Sequence, residues 1–303
     1  MPTALRSMNA PAVWRDMSQA ELDAAYDQIK YAPNQPQILK RFASNSEAFR
    51  ARRGAPERVA YGGTPVESLD VYASRVAPPC GAPINMFIHG GAWRSGFARD
   101  YGFLAEMFVH AGAHFVVPDF ASVQEVDGSL HRVAAQLRRA LAWVYSHAKQ
   151  LGGDPERIYV SGHSSGAHLA AVLLATDWRK DFGLPADVIK GGLCCSGIYE
   201  LKPVGLSSRG SYLKITADME QALSPHRNLA QVQAPLLLAY GSLETPEFQR
   251  QSVDFFAALR QAGKPVQLLL AEGYNHFEIL ETLASPYGLL GRAALAQMRL
   301  GDG

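Results

Sequence analysis

Gly162-His163-Ser164-Ser165-Gly166 is the run in this chain most suited to chemistry. It fits G-x-S-x-G, a weak pattern alone because glycine and serine are common. Its setting gives it weight. RIYVSG upstream reads as a strand and AHLAAVLLAT downstream as a helix. A sharp strand-to-helix turn strains the central serine and lifts its hydroxyl above the sheet edge. Gly162 and Gly166 allow the close backbone approach that such a turn needs. The helix start behind Ser164 favours negative charge developing in front of it. Ser164 is the predicted nucleophile, and its neighbour Ser165 offers a backbone amide.

A serine hydroxyl needs a base to accept its proton. After a nucleophile on such an elbow, the acid comes next along the chain and the histidine last. Of nine histidines, only His226 and His276 follow Ser164. His276 lies in the loop GYNHF after the apolar run VQLLLAEG, where the base is expected. His226 lies in SPHRNL, ahead of the acid strand, and reads as structural. The acid is expected after LLLAYG, in the loop SLETPEF. Glu244 fits, with Glu247 and Glu272 as alternatives; Glu247 also suits the first turn of the following helix.

Acyl transfer turns a carbonyl oxygen into an oxyanion, which preorganised N–H donors stabilise. His89-Gly90-Gly91-Ala92-Trp93 closes the strand INMFI. Its glycines clear side chains from the amides. The predicted oxyanion loop is Gly90, Gly91 and Ala92, with the amides of Gly91, Ala92 and Ser165 as donors. His89 is expected to brace the loop, and Trp93 either to wall the pocket or to sit in the core as a plain packing residue.

The elements around these motifs alternate. RVAY and SLDVYAS read as antiparallel strands about the turn at Gly62-Gly63-Thr64-Pro65. INMFIH is a continuous apolar run, as in a buried parallel strand. A helix around Phe103–Ala111, the strand HFVVP and a long helix over about Ser129–Gln150 follow. After the elbow come IKGGLCCSG, LLLAYG, the helix EFQRQSVDFFAALRQAG and VQLLLAEG. This predicts an α/β fold with a mostly parallel, doubly wound sheet over residues 59–303. Residues 197–233 break the rhythm and read as a small cap insertion where ligands bind. Residues 1–58 read as a helical arm or lid. Its first helix, ELDAAYDQI, starts with the capping box Ser18-x-x-Glu21. Its second, ILKRFASNSEAFRARR, stops at Gly54-Ala55-Pro56. Gly152-Gly153-Asp154-Pro155 reads as a turn into RIYV, not a phosphate loop.

The chain has 303 residues, 48% hydrophobic and 19% charged, which is enough apolar mass for a core and excludes general disorder. Lys and Arg (29) balance Asp and Glu (28), leaving a net charge of +1, so binding of nucleic acid by bulk charge is not expected. The first twenty residues hold no apolar run of signal-peptide type, and no stretch is long enough for a membrane span. The three cysteines, Cys80, Cys194 and Cys195, do not form a disulfide framework. A cytoplasmic location is the expectation. His110 with His114, and His163 with His168, do not share a helix face in the way zinc ligands would. No metal and no cofactor are expected. The expected partner is a small-molecule ester or amide, with no nucleic acid and no membrane; a homodimer is left open.

Through HGGAW, GGDPERIYVSGHSSGAHLAA and the late His276, the chain resembles the HGG-motif α/β-hydrolases of the hormone-sensitive-lipase group. Within that group it is similar to the kynurenine formamidase (arylformamidase) family. ELDAAYDQIKYAP, SGIYELKPV with ALSP, ETPEFQRQS and NHFEILETL extend the likeness over most of the chain. The resemblance implies an α/β-hydrolase fold and a cofactor-independent serine hydrolase. Its triad would be Ser164, Glu244 and His276, and its oxyanion loop Gly90, Gly91 and Ala92. The implied reaction cleaves an aryl formamide such as N-formylkynurenine, with a carboxylesterase on short-chain or aryl esters as the alternative. The family usually has Asp where this chain has Glu244, and glutamate is one methylene longer.

Overall fold

The computed structural model describes residues 11–76 and 81–300. Cys80 and the first ten residues lie outside them. Eight strands form one sheet in the order β1-β2-β4-β3-β5-β6-β7-β8. They are β1 (Glu57–Ala60), β2 (Ser68–Tyr72), β3 (Ala82–Ile88), β4 (His114–Pro118), β5 (Gly153–His163), β6 (Ile189–Cys195), β7 (Leu236–Gly241) and β8 (Val266–Ala271). The β1–β2 and β2–β4 pairs are antiparallel, and the other pairs are parallel. This is the α/β-hydrolase architecture.

The helices are α1 (Gln19–Ala25), α2 (Gln35–Arg53), α3 (Ala105–His110), α4 (Leu130–His147), α5 (Ser165–Leu174), α6 (Trp178–Phe182), α7 (Lys202–Leu206), α8 (Ala217–Leu223), α9 (Pro246–Gln261), α10 (Glu278–Glu281) and α11 (Leu289–Gln297). All of β3 is buried, so successive side chains point into opposite layers. Ile84, Met86 and Ile88 join a core with residues of α4, α5 and α9. Phe87 joins a second core with residues of α2, α3 and α11. Helices on both faces explain the unbroken apolar character of the central strands. No described helix is long and apolar enough to cross a membrane.

Three local readings needed correction. The first arm helix ends at Ala25, and a separate 3₁₀ turn covers Gln28–Tyr31. Asp27 causes the break, because its carboxylate accepts from the Ile29 amide and starts the second piece. The helix expected near Phe103 is a 3₁₀ turn over Ala98–Leu104 that runs into α3. Gly153–Pro155 belong to β5, where Gly153 pairs with Ala82 across a register shift. Gly153 allows this approach, since a Cβ there would lie 2.6 Å from the Ile84 side chain.

Residues 197–233 hold α7, α8 and three short 3₁₀ turns. They meet the N-terminal segment through polar contacts. Gln19 Nε2 donates to the Leu206 carbonyl (2.8 Å), the Ser208 amide donates to Asp23 (2.6 Å), and Arg209 Nη2 donates to the Tyr26 carbonyl (2.9 Å).

Candidate active site

Ser164 sits between β5 and α5 with φ 58° and ψ −124°, a backbone region that L-residues rarely occupy. Its neighbours make this conformation feasible. A Cβ on Gly162 would lie 2.4 Å from the Gly166 carbonyl oxygen, and one on Gly166 would lie 2.1 Å from that of Ile88. Glycine at both places lets α5 press against β3 and β5 while the serine projects into the cavity. The Ser164 amide is tied to the Cys195 carbonyl (2.9 Å). Ser165 opens α5, so its amide is among the first helix N–H groups, which have no acceptor within the helix.

His276 follows β8 and reaches back over the elbow. Ser164 Oγ lies 2.9 Å from His276 Nε2. His276 Nδ1 lies 2.7 Å from Glu244 Oε2. All three residues are buried. The Glu244 carboxylate is held on its other oxygen, Oε1, by the Gly241 amide (2.7 Å) and by Ser196 Oγ (2.6 Å). These two donors take up the longer glutamate side chain and aim Oε2 at the imidazole. Glu247 is elsewhere: its carboxylate meets Arg250, Tyr26 and Gln251. Glu272 is exposed. The structure thus brings Glu244, and neither alternative, to His276.

Gly90, Gly91 and Ala92 line the same cavity as Ser164 and His276. A Cβ on Gly90 would come within 3.2 Å of the Ser164 Cβ, so Gly90 lets the loop close on the elbow. Gly91 (φ 117°), Ala92 (φ 54°) and Trp93 (φ 59°) all have positive φ. The Trp93 amide donates to Ser165 Oγ (3.2 Å), while those of Gly91 and Ala92 make no hydrogen bond to a described residue. His89 braces the loop: its Nδ1 donates to the Gly90 carbonyl (2.9 Å), and its ring stacks on Phe120 at 4.4 Å.

Of the two readings of Trp93, the structure favours the core position over the pocket wall. Its side chain is buried, and its Nε1 donates to His168 Nδ1 (3.1 Å), because the positive φ turns it down into the core. His168 Nε2 in turn donates to the Leu223 carbonyl (2.8 Å). This single tautomer links the oxyanion loop, α5 and α8. Burial pushes His168 down to about 4. His226 packs near Phe255 and makes no contact with Ser164.

Sequence reasoning missed two contributors. His163, beside the nucleophile, donates from Nε2 to the His276 carbonyl (2.6 Å) and packs against the His276 ring at 4.8 Å. Burial, and then the neighbouring His276, push it down to about 3, so it stays neutral and donates steadily. Ser196 has φ 55° just past β6, and this aims its hydroxyl at Glu244. The only sequence hint was its place at the C-terminal end of a central strand.

The cavity holds about 1110 Å³. Its floor is Gly90, Gly91, Ala92, His163, Ser164 and His276. Residues of segments 20–43 and 208–212 face them. Among the described residues no group of three His, Cys, Asp or Glu side chains could hold a metal ion.

The kynurenine formamidase of Danio rerio is 30% identical over 293 residues, which span 93% of this chain and 97% of that protein. The chain belongs to the kynurenine formamidase family. The Salmo salar kynurenine formamidase is 29% identical over 89% of this chain and 93% of its own length. A family model described as BD-FAE matches residues 69–187, from β2 past the elbow. Among solved structures, Mycobacterium marinum esterase LipW superposes with a TM-score of 0.68 at 19% identity, covering 89% of this chain and 88% of its own. Thermogutta terrifontis Est2 with propionate bound gives 0.67 at 21% identity, covering 82% and 97%. These two share the fold. A member of this family with this fold is a hydrolase.

Proposed function

We propose that this kynurenine formamidase family member is a serine hydrolase that cleaves small acyl groups from aromatic amines, an aryl formamide above all. The observation that carries the reading is the unbroken contact from Ser164 Oγ through His276 to Glu244, at 2.9 and 2.7 Å. Ser164 gives its proton to His276 Nε2 as Oγ attacks the carbonyl carbon. The oxyanion takes hydrogen bonds from the Gly91, Ala92 and Ser165 amides. Glu244 holds the imidazole tautomer and stabilises the imidazolium. The C–N bond then breaks, and the amine leaves with the proton from His276. A water gives a proton to His276 and its oxygen to the acyl carbon, which frees the acid and restores Ser164. In this reading residues 19–53 and 197–233 are the roof that sizes the pocket.

A second reading is a carboxylesterase acting on short-chain or aryl esters. The isoprenylcysteine alpha-carbonyl methylesterase of Arabidopsis thaliana, 25% identical over 73% of this chain, favours ester chemistry on the same scaffold. Ser164→Ala tests both readings at once. It should lower kcat by roughly 10⁴-fold or more on N-formylkynurenine and on 4-nitrophenyl acetate, and abolish labelling by a fluorophosphonate. Retained turnover would refute the nucleophile. The ratio of kcat/KM for a formanilide and an aryl ester then separates the two substrates.

A further inference from the structure

We propose that Thr245 is a positioning residue for the acid Glu244, and that it works only with the N-terminal arm docked, because residues 25–28 of the arm clasp it. The proposal rests on the hydrolase reading and adds a residue and a condition to it. Thr245 follows Glu244 and caps the start of α9, at φ −59° and ψ 146°. A threonine there ordinarily turns its hydroxyl back to accept from an amide of the first helical turn. Thr245 makes no such bond. Its hydroxyl points to the arm instead, donating to the Ala25 carbonyl (2.7 Å) and accepting from Gln28 Nε2 (3.4 Å). Its amide donates to Gln28 Oε1 (3.3 Å). Gln28 thus grips both the backbone and the side chain of one residue. Both residues are buried, so losing either partner leaves a polar group shielded from solvent.

The clasp sits one peptide bond from the acid. The Glu244 amide donates to the Gly241 carbonyl (3.2 Å), and the Glu244 carbonyl accepts from Gln249 Nε2 (2.8 Å). Both partners belong to the same stretch of chain, so they shape the acid loop from within. Among the described residues, the backbone bond that ties Glu244 and Thr245 to a distant segment is the one to Gln28. Ser196 aims the carboxylate, and Thr245 holds the backbone that carries it. A second contact runs in parallel. Tyr26, in the same part of the arm, donates from its hydroxyl to Glu247 Oε1 (3.2 Å) and accepts from Gln251 Nε2 (3.0 Å). Its ring meets Phe248 edge-on at 5.9 Å, and Phe248 meets the His276 ring edge-on at 4.9 Å. The arm therefore reaches the acid through Thr245 and the base through Phe248. Reactivity falls steeply when catalytic groups are misplaced by about an ångström. Undocking the arm would free both members of the pair at once.

Thr245→Val removes the hydroxyl and keeps the shape, at a residue outside the cavity lining. It should lower kcat roughly five- to twentyfold on N-formylkynurenine and on 4-nitrophenyl acetate, with KM within about twofold. Labelling by a fluorophosphonate should slow by the same factor. Thr245→Ser keeps the hydroxyl and should restore most of the rate. Gln28→Ala should lose less, and the double variant no more than Thr245→Val alone, because the two residues act as a unit. Arg41→Ala breaks an exposed arm contact remote from the acid and should leave kcat unchanged. The low-field NMR signal of the proton between His276 and Glu244 should move upfield in Thr245→Val and return in Thr245→Ser. A folded Thr245→Val with wild-type kcat, a loss that Thr245→Ser shares in full, or a loss confined to KM would overturn the proposal and leave the clasp a plain packing contact. If Thr245→Val does not fold, Gln28→Ala is set against Arg41→Ala, and equal labelling rates refute the proposal. If the wild type turns over no substrate and takes no label, the hydrolase reading falls separately, and the proton signal still reads whether Thr245 sets the acid against His276.

Discussion

Ser164, His276 and Glu244 are 7%, 3% and 1% exposed, whereas Ile29, Leu39 and Phe97, lining the same cavity, are 55%, 40% and 49% exposed. The floor is made of short hydrogen bonds, positive-φ backbone and glycines that touch carbonyl oxygens. The roof is made of arm residues and short turns joined by single polar contacts. Strain of the floor's kind persists only where surrounding structure over-determines it, and the central strands provide that. The roof has no such frame. In the proposed function, reaction chemistry belongs to the floor and substrate selection to the roof.

The largest effect that would sharpen this contrast comes from Gly91→Ala. The added methyl would lie 1.9 Å from the Ser95 carbonyl oxygen, on a backbone at φ 117° that alanine resists. The loop must shift, and its amides lose their aim at the oxyanion. Loss of one such donor costs about 3–4 kcal/mol in the transition state, so kcat should fall roughly 10²–10³-fold. Circular dichroism should show an intact fold. Full kcat in a folded variant would mean that another group holds the oxyanion.

The sequence made Ser164, His276 and Glu244 legible because each is announced locally. The elbow glycines flank the serine, and the acid and base each follow an apolar strand in the required order. Ser196 and His163 are not announced. Ser196 matters only because β6 lies beside β7, which delivers Glu244 to its hydroxyl. His163 matters only because the His276 loop folds over it. The parallel sheet was legible from alternation, since buried strands read as apolar runs. The break at Asp27, the 3₁₀ turn at Ala98 and the inward turn of Trp93 were not, because each depends on one hydrogen bond or one φ angle. Trp93 shows the limit most clearly: residue type and position left a pocket wall and a core place both open, and the backbone turns it into the core.

The intermediate effect concerns pH. His168 has its folded pKa pushed down to about 4 by burial, against about 6.5 in an open chain. Between these values the unfolded chain binds a proton that the folded one refuses, so stability rises with pH there. The His168 contribution is full above about pH 6.5 and is lost as pH falls toward 4. At pH 5 this one residue should remove about 2 kcal/mol relative to pH 7. A protonated Nδ1 would also face the Trp93 N–H that it now accepts. Thermal melting at pH 7 and 5 reads the loss, and the His168 ring resonance should stay at its neutral position at pH 5. Titration of that ring near pH 6.5 would show that the brace from Trp93 to Leu223 is loose, and the floor less rigid than the roof contrast requires.

The smallest effect lies where the roof grips the floor. Asn34, just before α2, donates from Nδ2 to Glu278 (2.6 Å) and accepts at Oδ1 from Asn275 Nδ2 (2.9 Å), and Asn275 adjoins His276. Arg41, on α2 itself, makes a paired contact with Glu281 at 2.8 Å, but its side chain is 49% exposed. Both link the arm to the segment after the base, and only the first is next to the chemistry. Asn34→Ala leaves partly buried donors and acceptors open, so it should cost about 1 kcal/mol of stability and lower kcat several-fold as the His276 loop loosens. Arg41→Ala removes a screened surface pair, and should change stability by less than about 1 kcal/mol with kcat unchanged. Melting curves and kcat for both variants check this. If Arg41→Ala lowers kcat as much as Asn34→Ala does, the arm acts on the base as a rigid body, and the division between a chemical floor and a selective roof breaks at that joint.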